Sequence, residues 1–162
     1  QPMPCPLQLG RSVLPQAQAR ALRVGDVVLF HEHWLAHDTD GTARLVLATQ
    51  GQAGWRIALA GDRVHLIEPW SLPVTAPAAA EDSPVALDAV PVTLSFDLGT
   101  LTLPLSELRQ LAAGQSFDLG RPLAGAVQVR ANGALLGVGE LVEIDGRLGV
   151  ALTQLGGQAE SA

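Results

Sequence analysis

The densest run of side chains able to do chemistry is His31-Glu32-His33-Trp34-Leu35-Ala36-His37-Asp38. On a strand, His31 and His33 point to the same face. With His37 or Asp40 they could ligate a metal. The spacing stops short of a known metal motif, because the fourth position after His31 is Leu35 rather than His. Asp38-Thr39-Asp40-Gly41 starts like a calcium loop, but the rest of that loop is missing. The run therefore reads as a solvated strand edge leading into an Asp-Gly turn. A metal-binding protein built on His31, His33 and His37 is the alternative from another class.

Other catalytic patterns fail on composition or spacing. Gly114-Gln115-Ser116-Phe117-Asp118 lacks the second glycine of a nucleophile elbow. Glu140 and Glu143 lie three apart on an expected strand, hence on opposite faces, which suits no cooperating acid pair. Gly133, Gly137 and Gly139 fall in an expected hairpin, not at a helix start where they could cradle a pyrophosphate. All ten basic residues are Arg, so the chain has neither a Schiff-base lysine nor a P-loop lysine. Cys5 is alone, which excludes an intrachain disulfide and a multi-cysteine zinc site. It sits in a Pro-rich stretch, Gln1 to Pro6, expected to be poorly ordered, and reads as a bystander. No catalytic residue, metal or cofactor is expected.

Charge narrows the partners. A net charge of −6 gives no overall positive field for phosphate neutralisation, which disfavours nucleic acid and anionic membranes. No run of apolar residues reaches the length of a membrane span. A single cysteine and the lack of a signal-peptide pattern suit a reducing compartment. The chain does not begin with Met, as expected for a piece of something longer. Apolar residues make up 48% and aromatic ones 4%, so Leu, Val and Ala must fill a core.

The elements that position these residues repeat. Leu9-Gly10-Arg11-Ser12-Val13-Leu14-Pro15 is followed by Arg20, Leu22 and Gly25. Leu98-Gly99-Thr100-Leu101-Thr102-Leu103-Pro104 is followed by Arg109, Leu111 and Gly114 at identical spacing. Between the copies lies a Pro- and Ala-rich stretch with acids and no base, the composition of a linker. The organisation expected is module 1 at 7–68, a flexible linker at 69–89, module 2 at 90–155 and a disordered tail at 156–162. A module of about 60 residues buries only about 60% of its unfolded surface, so two tandem modules should bury faces against each other.

Within module 2, Val92-Thr93-Leu94-Ser95-Phe96 alternates as a strand does, and Leu101 to Leu103 continues it. Leu105, Leu108, Leu111 and Ala112 recur at helical spacing, which predicts one amphipathic helix over Pro104–Ala113, stopped by Gly114. Asn132-Gly133 and Asp145-Gly146 predict hairpin turns, and Gly137 and Gly139 a bulge between them. Module 1 follows the same plan, with its helix at Pro15–Val24. Trp55 reads as a core filler and Trp70 as packing over a module edge. The pairing core is expected to be Leu14, Leu22, Leu103, Leu108, Leu111, Val127, Val129, Leu141 and Ile144. The fold class is mainly β with one short helix per module.

Val127 to Leu152 resembles the signature of the SPOA (surface presentation of antigens) family: an alternating strand, Asn-Gly, an apolar pair, Gly-x-Gly-Glu, an Asp-Gly turn and a last apolar strand. Gly25-Asp26-Val27-Val28-Leu29 is similar to the strand that follows the family's short helix. Two unequal copies in tandem resemble the C-terminal region of the SctQ/HrcQ/YscQ class of type III secretion ring proteins, relatives of flagellar FliM and FliN. That resemblance implies two modules forming an intertwined, β-barrel-like intramolecular pair. It also implies a non-enzymatic scaffold in the cytoplasmic ring, or sorting platform, at the inner-membrane face. Implied partners are a stator protein of the SctL/FliH type, with the export ATPase behind it, an SctK-type adaptor and other ring copies. A flagellar motor switch component is the alternative within the fold. Phe30, Trp34, Phe117 and Leu119 are the expected partner contacts, as apolar residues outside the helices that two-sheet packing is expected to leave exposed.

Overall fold

Side chains that alternate apolar and polar put most of this chain into strands. The computed structural model describes residues 2–37, 39–40, 42–49, 53–71, 90–119 and 126–155. The first repeat supplies β1 (Pro2–Pro15), α1 (Gln16–Arg20), β2 (Val27–Leu29), β3 (Glu32–His33), β4 (Ala36–His37), β5 (Ala43–Ala48), β6 (Ala53–Ala60) and β7 (Arg63–Ser71). The second supplies β8 (Pro91–Pro104), α2 (Leu105–Leu108), β9 (Ser116–Asp118), β10 (Val127–Ala131), β11 (Ala134–Ile144) and β12 (Arg147–Gln154). The mainly-β expectation is met, with antiparallel pairing.

The chain divides into two units, and each draws on both repeats. Unit 1 holds the described residues of 1–9, 34–73 and 97–125, and unit 2 those of 10–33, 74–96 and 126–162. In unit 1 the strands run β1–β5–β6–β7–β9, with β4 paired to β5. In unit 2 they run β8–β10–β11–β12–β2. The order is the same in both, and in each the last strand comes from the other repeat. The hydrogen bonds at that strand's start also match. Gly25 N donates to Leu152 O at 2.8 Å while Leu152 N donates to Asp26 O at 2.8 Å. In unit 1, Gly114 N donates to Leu66 O at 2.9 Å and Leu66 N to Gln115 O at 2.9 Å. Gly25 and Gly114, the last residues of the sequence repeat, have φ of 99° and 92°, a left-handed backbone that glycine adopts at little cost.

The repeat's Leu-Pro pair marks a strand-to-helix junction in each copy. Leu14 and Leu103 are buried. Pro15 and Pro104 are extended, with ψ of 149° and 150°, and cap the helices from outside. The helices are shorter than predicted: five residues and four, rather than ten each. Isolated turns are held by packing more than by propensity, and no residue in either helix is fully buried. Leu22, Leu108 and Leu111 are only half-buried.

The N-terminal stretch expected to be poorly ordered is part of β1 from Pro2 onward. Cys5, Leu7 and Leu9 alternate into the core of unit 1 at 0–1% exposure. Burial raises the Cys5 thiol pKa, which keeps it protonated and unreactive. Residues 69–71 of the expected linker close β7. The rest of that linker, 72–89, and the tail at 156–162 lie outside the described residues.

Both hairpin turns form where predicted. Asn132-Gly133 have φ of 49° and 92°, and Asp145-Gly146 54° and 81°. Positive φ at both central residues gives the type I′ turn that matches strand twist. The expected bulges are present too: the register slips opposite Gly137, between Val129 and Arg130, and again at Val138/Gly139. A Cβ at Gly139 would overlap Ala151 O and lie 2.5 Å from Val150 Cγ1, so this strand crossing needs glycine. The core of unit 1 centres on Leu45, Leu47, Ile57 and Val64, and that of unit 2 on Leu94, Phe96, Val127 and Val129, all fully buried. Each contributes about 1.5–3 kcal/mol by leaving water. Among the described residues, no helix is long and apolar enough to cross a membrane.

Candidate docking surface

Exposed large apolar side chains are concentrated in one unit. Val24, Val27, Val90, Leu135, Leu141 and Ile144 are 38–60% exposed, and all six belong to unit 2. Val27 sits on β2, the edge strand of that unit's order, opposite Ala151 on β12. Leu141 lies opposite Val150 on the next pair, and Ile144 opposite Arg147 beside the Asp145-Gly146 turn. Leu135 follows the Asn132-Gly133 turn at the other end of β11. Register places Leu141 on the face of Val150 and Val28, and Val27 with Ala151 on the other, so the exposed apolar residues lie on both faces of this unit's sheet. Exposed apolar area gathered in one unit makes that unit the candidate for contact with another protein. A cavity of about 300 Å³ opens in the same unit, with Ala19, Leu22, Val92, Leu136 and Leu155 as its apolar lining and Arg20 among its polar one.

Two expected core residues, Leu141 and Ile144, therefore belong to the surface. Strand alternation fixes which residues share a face but not which face is covered. Leu14, Leu103, Val127 and Val129 are buried as expected. The expected partner contacts fare in the opposite sense. Phe30 is 5% exposed and stacks on Phe96, ring centroids 4.6 Å apart, inside unit 2. Trp34 is 7% exposed and meets Trp70 edge-on at 6.1 Å over Val46 and Ala48, in unit 1. Neither offers a free face. Phe117 and Leu119 are half-buried: Phe117 pairs with Val64, and Leu119 N donates to Asp62 O at 2.8 Å. Trp55, expected in the core, is half-buried on β6. Trp70 also carries Arg56 over its ring at 5.3 Å, a cation–π contact.

The His31 ring serves the backbone. His31 Nδ1 accepts from Val13 N at 3.1 Å, and His31 N donates to the buried Ser12 Oγ at 3.1 Å. His33 is opposite Gly10 and His37 opposite Ala43 in strand ladders. Among the described residues, no three His, Cys, Asp or Glu side chains come together as a metal site would require. Asp38 and Gly41 of the calcium-like turn lie outside the described residues. Asp40 Oδ1 accepts from Thr42 N at 3.0 Å, and that bond holds its carboxyl below the usual range. Val24, Val27, Val90 and Leu135 were not singled out by sequence. The signal present was a valine on each side of Gly25-Asp26, next to the repeat's terminal glycine.

Residues 86–156, the stretch that contains β8 through β12, match a family described as type III flagellar switch regulator (C-ring) FliN C-term. Residues 86–156 belong to the FliN C-terminal family. The FliN-type region thus supplies both hairpins and most of the exposed apolar residues. Relatives extend the likeness. Yop proteins translocation protein Q of Yersinia pestis is 35% identical over 136 residues, 83% of this chain and 41% of its own length. Type III secretion protein HrcQb of Pseudomonas syringae pv. tomato is 37% identical over 76 residues, 47% of this chain and 56% of that protein. Flagellar motor switch protein FliN of Caulobacter vibrioides is 36% identical over 66 residues, 41% of this chain and 60% of that protein. The chain spans about two-fifths of the length of translocation protein Q. This is an SctQ-like chain related to FliN.

Proposed function

We propose that this chain is the tandem SPOA region of a type III secretion ring protein and acts as a non-enzymatic scaffold in protein export. The observation that carries this reading is the extent of likeness. The similarity to translocation protein Q runs over 136 residues and so reaches beyond the FliN-type domain into the first repeat, whereas the likeness to FliN spans 66. That difference favours a secretion ring over a flagellar switch. The two repeats fold as an intertwined, barrel-like pair. Supporting this are the matching strand orders, each finished by a strand of the other repeat, and the reciprocal bonds at Gly25 and Gly114. The pair works in the cytoplasm at the inner-membrane face. Its apolar surface on unit 2 receives a stator protein of the SctL/FliH type, which carries the export ATPase, while an SctK-type adaptor and other ring copies complete the platform.

Co-expression with the stator-type protein of the same bacterium tests the reading. The wild-type chain co-purifies with it, and a Val27→Asp, Leu141→Asp double variant that keeps its circular dichroism spectrum loses at least about tenfold of that binding, since each change puts a charge where an apolar contact was desolvated. Retention of the stator by the folded double variant would remove the docking face. Selective co-purification with flagellar switch proteins instead would move the chain to the flagellar class.

A further inference from the structure

Beside Val27, unit 2 holds a second cavity of about 290 Å³ whose chemistry differs from the apolar surface around it. Leu14, Leu22 and Val28 form its apolar lining, and Gln18, His31 and Arg147 its polar one. Its one charged lining residue, Arg147, is cationic, in a chain whose net charge is −6. Arg147 is exposed and has no hydrogen-bond or ion-pair partner among the described residues. His31 accepts at Nδ1 from Val13 N, so the neutral ring carries its proton on Nε2 and keeps that N–H to give. Of the carboxylates beside the lining residues in the chain, Glu32 Oε1 takes Arg11 Nε at 2.8 Å and Asp26 Oδ2 takes Arg23 N at 2.9 Å, while Glu143 and Asp145 make no bond to the Arg147 guanidinium. Donors are therefore present with no acceptor set against them, over a lining that suits one branched side chain.

We propose that this cavity binds an acidic side chain carried next to an apolar residue on a peptide segment of a partner protein. The apolar residue fills the space against Leu14 and Val28, and the carboxylate meets the Arg147 guanidinium, with His31 and Gln18 as further donors. Charge-assisted bonds of this kind discriminate a carboxylate from its amide. The cavity would thus add selectivity to a surface that otherwise offers only apolar area. The inference rests on the docking reading above and deepens it.

The test titrates the isotopically labelled full chain with the capped peptide acetyl-Leu-Leu-Glu-Leu-amide and with its glutamine counterpart, followed by amide chemical shifts. The glutamate peptide binds about fivefold more tightly and shifts Val28, His31 and Arg147, and Arg147→Gln brings the ratio close to one, as the loss of a part-exposed charged hydrogen bond would. Equal binding of the two peptides to the wild-type chain, an unchanged ratio in Arg147→Gln, or no binding of either would each overturn the proposal. Tighter binding of N-acetyl-leucine than of the glutamate peptide would overturn the side-chain assignment in favour of a chain terminus. Failure here is separable from failure of the docking face. If stator co-purification persists while the two peptides bind alike, the face stands and the carboxylate selectivity falls.

Discussion

Units 1 and 2 share a strand order yet finish their surfaces differently. In unit 1, Trp34 and Trp70 cover Val46 and Ala48, and among its described residues no large apolar side chain is markedly exposed. In unit 2 the aromatic pair, Phe30 on Phe96, lies inside, and Val24, Val27, Val90, Leu135, Leu141 and Ile144 are left outside. One topology, duplicated, has been closed with tryptophan in one copy and left apolar in the other. The duplication thus separates a unit whose described apolar residues are covered from one that leaves several of them in water. The proposed function needs that difference.

The largest effects come from removing the aromatic residues that define it. Phe96 is fully buried, so Phe96→Ala is expected to lower stability by about 3–5 kcal/mol through lost transfer energy and the cavity left behind, read by urea denaturation. Trp34→Ala is expected to cost about 3 kcal/mol in the same assay and also to uncover Val46 and Ala48. Binding of an apolar dye should then rise well above its wild-type level in the tryptophan variant. If dye binding stays unchanged while stability falls, Trp34 is not what closes unit 1, and the contrast between the units loses its cause.

A smaller effect tests the backbone of the exposed unit. Gly139→Ala places a methyl group against Ala151 O and Val150 Cγ1, both part of the β12 ladder. The strands must part, at about 1–3 kcal/mol. The Asn132-Gly133 and Asp145-Gly146 turns, whose positive φ already suits their residues, should be untouched. Thermal melting checks the size, and retention of the hairpin cross-peaks by NMR checks that the damage is local.

These elements also show what the residues declared in advance. The repeat motif announced itself because each of its positions has a geometric duty: buried Leu14 and Leu103, extended Pro15 and Pro104, positive φ at Gly25 and Gly114. The two hairpins were equally plain, since few residue pairs other than Asn-Gly and Asp-Gly fit a type I′ turn. The helices were overdrawn because leucine spacing suggests a helix whether or not anything packs against it. The N-terminal strand was missed because three prolines masked the alternation of Met3, Cys5, Leu7 and Leu9; Pro2, Pro4 and Pro6 fall two apart, so their missing donors share one edge of the strand. The docking residues were illegible for another reason. Exposure depends on which face the rest of the chain covers, and here that cover comes from the other repeat: β2 pairs with β12 across more than a hundred residues of sequence. Periodicity is local and carries no such information, so Leu141 and Ile144 were assigned inward and Phe30 and Trp34 outward.

The finest comparison is between the two edge strands, which have the same place in the strand order and are held by different polar contacts. On β2, the fully buried Ser12 Oγ donates to Leu29 O at 2.6 Å and itself accepts from His31 N at 3.1 Å. On β9, Ser116 Oγ and His65 Nδ1 are 2.6 Å apart, both half-buried. Removing the buried hydroxyl takes a donor from Leu29 O with little water to replace it, while His31 N keeps Arg11 O at 3.0 Å; a half-buried pair is readily rehydrated. Ser12→Ala is therefore expected to cost about 1–2 kcal/mol and Ser116→Ala about 0.5–1 kcal/mol. Hydrogen exchange gives the sharper readout: amide protection at Val28 and Phe30 should fall in Ser12→Ala, and that at Phe117 should fall less in Ser116→Ala. Ser12 lies in the unit that the proposed function assigns to the stator, so on that reading the first variant also weakens stator binding, while the second leaves it unchanged. Equal losses of protection would mean that both strands are held by their backbone ladders alone, and that the serines do not distinguish the open unit from the closed one.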